Sequence, residues 1–99
     1  MASGTIKAVA GLYSGAFKSL TLSITTSNWT SSNGVYVATK TSTHISSTSY
    51  EIVEFDSSAR DYLFYDISWE KSSNNDGLTF TTKKKPAGTI TGTIFVIKV

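Results

Sequence analysis

Residues 77–99 read GLTFTTKKKPAGTITGTIFVIKV, and this stretch decides the fold class. Two strand-like runs flank a basic turn, residues 83–88, that contains the only proline of the chain. Residues 94–97 form the most apolar run of the sequence. An exposed, flat, apolar strand would pair edge to edge with another chain, so we expect this run to lie inside a sheet or to be covered by another subunit.

Composition extends the same interpretation to the whole chain. Its 99 residues are enough for one domain with a single modest core. Roughly a third of them are Ser or Thr, and with the Val, Ile and aromatic content this favours strands over helices. We predict an all-β protein, a single small antiparallel β-sandwich of jelly-roll or Ig-like type with six to seven short strands. The sandwich is expected over residues 20–99, preceded by an N-terminal arm or edge strand over residues 1–19.

Alternation of apolar and polar residues predicts which side of each strand faces the core. In residues 34–41, Tyr36 and Ala38 share one face, and Val35 and Val37 share the other. Residues 5–12 alternate poorly and predict either an irregular edge strand or an arm that packs on a neighbour. The other predicted apolar sets are Leu20, Leu22 and Ile24; Val53 and Phe55, opposite Ile52; Leu63, Tyr65, Ile67 and Trp69; and, across the next turn, Leu78 and Phe80.

Turn signals separate these runs. Asn33-Gly34 and Asp76-Gly77 are both pairs that favour tight hairpins. Pro86 suits a turn or the entry to a strand, because proline lacks a backbone donor. Gly92 marks a bend or a close approach of two backbones.

Catalytic chemistry has few candidates here. The chain has no cysteine, and its one histidine, His44, lies in a polar linker without a Gly-x-Ser-x-Gly motif. Glu54 and Asp56 lie on one face of a predicted strand, but polar strand faces often carry such pairs. Asp76 is better explained by turn chemistry than by calcium binding. We predict no enzymatic activity, no metal and no cofactor.

Charge and hydropathy limit the partners. The net charge of +2 is mild, and apart from residues 83–85 the cationic side chains are scattered, so nucleic acid is not expected. The lysine run suits a solubilising device better than a site for an anionic polymer. No run approaches the roughly 20 apolar residues of a membrane helix, and the first residues lack the pattern of an export signal, so no membrane partner is expected.

Aromatic side chains are the remaining candidates for binding. Trp29 and Tyr36 are the speculative ligand-binding residues, because exposed aromatic rings stack on sugars and on protein partners. Trp29 lies in a turn-rich stretch, where a structural plug at the end of the sandwich is the alternative. Trp69 shares a register with Ile67, so we expect it in the core.

The order of these motifs resembles a small module of bacteriophage and prophage structural proteins from Gram-positive hosts. The matching pieces are Leu20-Thr21-Leu22, then Trp29, Gly34-Val35-Tyr36, Ile52 to Asp56, Gly77 to Thr81, Lys85-Pro86 and Ile94 to Val96. They cover about four fifths of the chain, and they are core and turn residues, so the resemblance carries no binding residues with it.

The resemblance implies a virion structural protein on the exterior of a phage particle, made in the host cytoplasm. A tail-fibre or receptor-binding module, typically a homotrimer, is the leading interpretation. Its expected partners are further copies, other virion proteins and, as an additional candidate, a host cell-surface glycan. Capsid decoration is the near alternative, and a carbohydrate-binding module is the alternative from another class.

Overall fold

The computed structural model describes residues 17–57 and 67–98, which form an all-β architecture. A short 3-10 helix spans Thr26–Asn28. The strands within the described ranges are β1 (Phe17–Ile24), β2 (Thr30–Ser32), β3 (Val35–Thr41), β4 (Tyr50–Phe55), β5 (Ser68–Lys71), β6 (Gly77–Thr82) and β7 (Ile90–Ile97).

The strands form two antiparallel sheets that pack together as a small β-sandwich. One sheet has the order β1-β7-β4 and the other has the order β2-β3-β6-β5. The most apolar strand, β7, lies in the middle of its sheet, hydrogen-bonded to a neighbour on each side. The expectation that residues 94–97 lie inside a sheet is therefore confirmed, as is the predicted all-β sandwich.

Alternation places one face of each strand in the core. Along β7 the side chains are buried and half-buried in strict alternation, with Ile94 and Val96 on the inner side. Phe80 of the opposite sheet is fully buried against them. The buried cluster consists of Leu22, Ile24, Trp29, Ala38, Ile45, Leu78, Phe80, Ile90, Ile94 and Val96. Removing such side chains from water supplies roughly 25 cal/mol per Å² of apolar area, which is the main force holding the two sheets together.

The two predicted hairpins differ in their turns. Asn33 and Gly34 form a two-residue turn between β2 and β3, both with positive φ (51° and 84°), as predicted. The second hairpin is longer, because its left-handed residue is Asn75 (φ 57°) and Gly77 already belongs to β6. The predicted turn over residues 72–77 is confirmed, because residues 72–76 connect β5 to β6, but Asp76-Gly77 does not form a two-residue tight turn.

Gly77 and Gly92 lie where two backbones approach closely. A Cβ on Gly77 would lie 2.1 Å from the Lys40 carbonyl oxygen, and one on Gly92 would lie 2.4 Å from the Glu54 carbonyl oxygen. Neither distance is possible for a real side chain, so both strand pairings require glycine. The expected close approach at Gly92 is confirmed.

Several boundaries differ from the expected ones. β1 begins at Phe17, three residues before the expected start of the sandwich, and the turn-rich stretch before Asn33 contains the short strand β2. Of the strand predicted over residues 60–70, the described part is β5. The expected edge strand at residues 5–12 and the core positions of Leu63 and Tyr65 lie outside the described residues.

Candidate functional site

A shallow cleft opens at the edge of the sandwich where β4 and β5, the outermost strands of opposite sheets, face each other. Its volume is about 390 Å³. Ligand pockets range from about 300 to 1,000 Å³, so the cleft is at the small end of that range. It is lined by Ser47, Ser49, Tyr50, Glu51, Trp69, Glu70, Lys71 and Leu78.

Trp69 is the aromatic residue that lines this cleft from β5. Its ring centroid lies 5.7 Å from that of Phe55, at 76°, and 6.4 Å from that of Phe80. The side chain nevertheless remains 39% exposed. The prediction that Trp69 belongs to the core is therefore wrong. The prediction that Trp69 and Phe80 lie on the same face of the sheet is confirmed, because the two residues are directly paired across β5 and β6. Because β5 is an edge strand, the opposite sheet covers only part of the ring.

Lys71, which also lines the cleft, bridges the two sheets. Its Nζ lies 3.2 Å from Glu51 Oε1 and donates to the backbone oxygens of Ser46 (2.6 Å) and Ser49 (2.5 Å). The Ser49 hydroxyl contacts the other Glu51 oxygen and also donates to Ser46 O at 3.0 Å. The Glu51 side chain is only 5% exposed. Buried charges of this kind are stable only when they are paired and hydrogen-bonded, as they are here.

This network forms the floor of the cleft and is not arranged as a catalytic group. Ser49 is 4% exposed, and its hydroxyl is already bonded to Glu51 and Ser46. The three N–H donors of the Lys71 ammonium have four oxygen acceptors within 3.3 Å, counting the Ser49 hydroxyl. A Ser-Lys hydrolase needs an accessible hydroxyl and a lysine nitrogen able to accept its proton. The arrangement therefore fits a rigid support.

Two exposed polar residues, Glu70 and Ser47, lie at the rim of the cleft. Glu70 follows Trp69 in β5 and therefore leaves the opposite face of that strand, while Ser47 lies in the loop that leads to β4. Neither side chain has a hydrogen-bond partner within the described residues. Tyr50 adds an aromatic residue that is 67% exposed. The cleft thus combines a partly covered aromatic ring with unused hydrogen-bonding groups.

The outer face of the β1-β7-β4 sheet is a second surface with a clear division. The strand register places Tyr50 beside Ile97 and Ile52 beside Phe95, and we call these four residues the apolar half of the outer face. Tyr50 and Ile52 are 67% and 54% exposed. The next rows are polar, and they contain Ser23 beside Thr91, Thr21 beside Thr93, and Glu54.

The residues predicted to bind a ligand lie elsewhere. Trp29 is 5% exposed and belongs to the core, so its ring does not present a face to a ligand. Its Nε1 is buried without a hydrogen-bond acceptor within the described residues. Tyr36 is half-buried and packs against the core cluster. Neither residue lines the cleft between β4 and β5.

The structure also places the other chemical candidates. His44 lies in the loop between β3 and β4, where its backbone N–H donates to Ser42 Oγ at 3.1 Å. Asp56 accepts a hydrogen bond from Thr91 Oγ1 at 2.7 Å, and Asp76 accepts one from Ser72 Oγ at 2.9 Å. Within residues 17–57 and 67–98, no three His, Cys, Asp or Glu residues are grouped so that they could hold a metal ion.

Sequence reasoning missed Trp69 as a surface residue. The available signal was its setting, Ser68-Trp69-Glu70-Lys71, because short strands rich in charged residues are typical of sheet edges. A second depression, of about 360 Å³, lies near β1 and β3. Its apolar lining includes Leu22, Ile45 and Ile94 of the core, and among the described residues no aromatic side chain lines it.

Comparison with protein-family models, with curated proteins and with solved structures finds no match to this chain. Nor does the described part of the chain contain a helix with the length and apolarity needed to cross a membrane.

Proposed function

We propose that this chain is a structural module of a bacteriophage particle that acts by self-association on the particle exterior, in the tail-fibre or adhesion apparatus. The phage assignment is supported by the motif order described above, from Leu20 to Val96. The mode of action is supported by one structural observation, the apolar half of the outer face.

Tyr50 and Ile52 are the exposed members of the apolar half, whereas Phe95 and Ile97 are half-buried. Ile52 lies directly beside Phe95 on this face, and Tyr50 lies beside Ile97 at the same end. Soluble monomers rarely expose contiguous apolar patches of large area, and such patches mark interaction sites. Burying the exposed surface of Tyr50 and Ile52 against another molecule would contribute roughly 25 cal/mol per Å², less the cost of association.

The charges around the apolar half favour a second copy of this chain as its binding partner. None of the four side chains is charged, so two copies can meet without opposing like charges. Lys98 follows the apolar end of β7, and Glu54 borders the patch on the other side, so an antiparallel arrangement brings opposite charges together. The lysine run, residues 83–85, lies before the opposite end of β7. That end is about 23 Å from the apolar end of the strand, at about 3.3 Å per residue.

Sedimentation velocity of the full chain at micromolar concentrations tests the self-association. We expect the wild type to sediment as an oligomer and Ile52→Asp to sediment as a monomer. The antiparallel contact through one shared face gives a dimer, whereas the resemblance implies a trimer, and the sedimentation coefficient distinguishes the two. Ser23→Asp places the same charge on the polar half of the same face and is expected to remain oligomeric. A monomeric wild type, or equal behaviour of the two variants, would contradict the proposal.

Labelling of intact phage particles tests where on the particle the protein lies. An antibody against the chain, applied to phage particles induced from the strain that carries the gene, is expected to decorate tail fibres. Labelling of the head would instead support capsid decoration. Particles without label would contradict a virion role in either place.

A further inference from the structure

We propose that the cleft beside Trp69 is a glycan-binding site, in which the exposed part of the indole ring stacks on a neutral sugar ring. The assignment does not rest on the virion role or on self-association. It rests on how the edge of the sandwich presents one aromatic ring among polar groups.

Trp69 is held as a platform before any ligand arrives. Phe55 packs edge-on to it with centroids 5.7 Å apart, and Phe80 lies 6.4 Å away on the core side. These contacts restrict the ring while 39% of the side chain stays exposed. One face of a pyranose carries several C–H groups, whose partial positive charge complements the negative face of an aromatic ring. A ring already fixed by its neighbours loses little entropy on binding.

The polar groups of the cleft match the hydroxyls of a sugar. The Ser47 hydroxyl both donates and accepts hydrogen bonds. Glu70 leaves the opposite face of β5 from Trp69, at the open edge of the sheet, so its carboxylate accepts hydrogen bonds at the rim of the cleft. Both side chains are exposed, and neither has a partner within the described residues. Glu51 and Lys71, by contrast, are bonded to each other and to the 46–49 loop, and so support the site from below. A binding constellation needs this kind of rigid supporting layer.

The charge of the cleft favours neutral over anionic glycans. Of the charged side chains that line it, Glu51 and Lys71 compensate each other, which leaves the negative charge of Glu70. A uronic acid, sialic acid or phosphate-bearing polymer would meet a like charge there. An anionic polymer would instead be drawn to residues 83–85, in the connection between β6 and β7.

A glycan array probed with the full-length chain tests the site. The probes are neutral hexose and N-acetylhexosamine oligosaccharides, with uronic-acid oligosaccharides and polyglycerol phosphate as anionic counterparts. We expect binding to a subset of the neutral probes. Trp69→Ala should weaken it at least about tenfold, corresponding to about 1.4 kcal/mol, and Trp69→Phe should weaken it less because a ring remains.

Two exposed carboxylates provide a test variant and its matched control, because replacing either one leaves the core intact. Glu70→Gln is expected to weaken binding, whereas Glu54→Gln, on the outer face, leaves it unchanged. The ¹⁵N–¹H spectrum of the chain with a bound probe should show the Trp69 indole signal shifting and the buried Trp29 signal remaining in place. Absence of neutral-glycan binding, or binding that Trp69→Ala and Glu70→Gln leave intact, would overturn the proposal. Neither Trp69 nor Glu70 belongs to the apolar half of the outer face, but Tyr50 lines the cleft and belongs to that half, so glycan binding is also measured with the Ile52→Asp variant, which is expected to bind the same probes.

Discussion

Lys71 Nζ lies 3.2 Å from Glu51 Oε1, and this ion pair joins β5 of one sheet to β4 of the other. At this edge of the sandwich, charged side chains occupy inward-facing positions that apolar residues fill elsewhere. The Lys71 ammonium also binds the backbone of the 46–49 loop, which connects β3 to β4. One lysine therefore fixes the loop, both edge strands and the floor of the Trp69 cleft.

Replacing Lys71 with methionine should destabilise the protein by about 2–3 kcal/mol, because Glu51 would remain buried without its counter-ion. We place the cost below that of a fully buried pair, since the Lys71 side chain is 23% exposed. Urea unfolding monitored by circular dichroism measures the change.

A double-mutant cycle supplies the control for this prediction. Adding Glu51→Gln to Lys71→Met removes the orphaned charge, so the double variant should be more stable than Lys71→Met alone. Additive losses would mean that the two side chains do not interact in solution.

Gly77→Ala should cost about 3 kcal/mol or more, because the new methyl group would overlap the backbone of β3 and force the strands apart. Gly34→Ala is the comparison. Its Cβ would meet nothing within 4 Å, so only the positive φ of 84° opposes it, at about 1 kcal/mol. Thermal unfolding of the two variants should rank them in this order, and the reverse order would contradict the observed strand pairing.

Trp29→Phe should change stability by no more than about 1 kcal/mol, because losing part of the ring is offset by removing a buried donor without an acceptor. Trp29→Ala should cost about 3–5 kcal/mol through the cavity that it leaves. Chemical denaturation distinguishes the two. A loss of similar size in both variants would indicate that Nε1 is bonded in solution.

Ile24 and Ile52 test the two faces of the β1-β7-β4 sheet. Ile24 is fully buried and Ile52 is 54% exposed. In dilute solution Ile24→Ala should cost about 2–5 kcal/mol, and Ile52→Ala no more than about 0.5 kcal/mol. If Ile52 lies between copies, the loss at that position should grow with protein concentration, because association stabilises the folded state by mass action. A concentration-independent melting temperature for the wild type would contradict this expectation.

The sequence by itself determined the class of fold and most strand faces. Leu22, Ile24 and Phe80 alternate with polar residues in short runs, and a pattern with period two can bury its apolar side only in a sheet. Asn33-Gly34 likewise predicted its own turn, because the positive φ angles that such a turn requires are a local property of the backbone. The Lys71–Glu51 pair was not predictable, since 20 residues and a change of sheet separate its members.

Only the tertiary structure decided which tryptophan meets solvent. Trp29 occurs among turn residues yet is buried, while Trp69 occurs in a core register yet remains 39% exposed. Alternation specifies the side of a strand on which a residue lies, but not whether that strand lies in the middle or at the edge of its sheet. That order depends on pairing between distant strands, and at the edge the opposite sheet covers only part of the ring of Trp69.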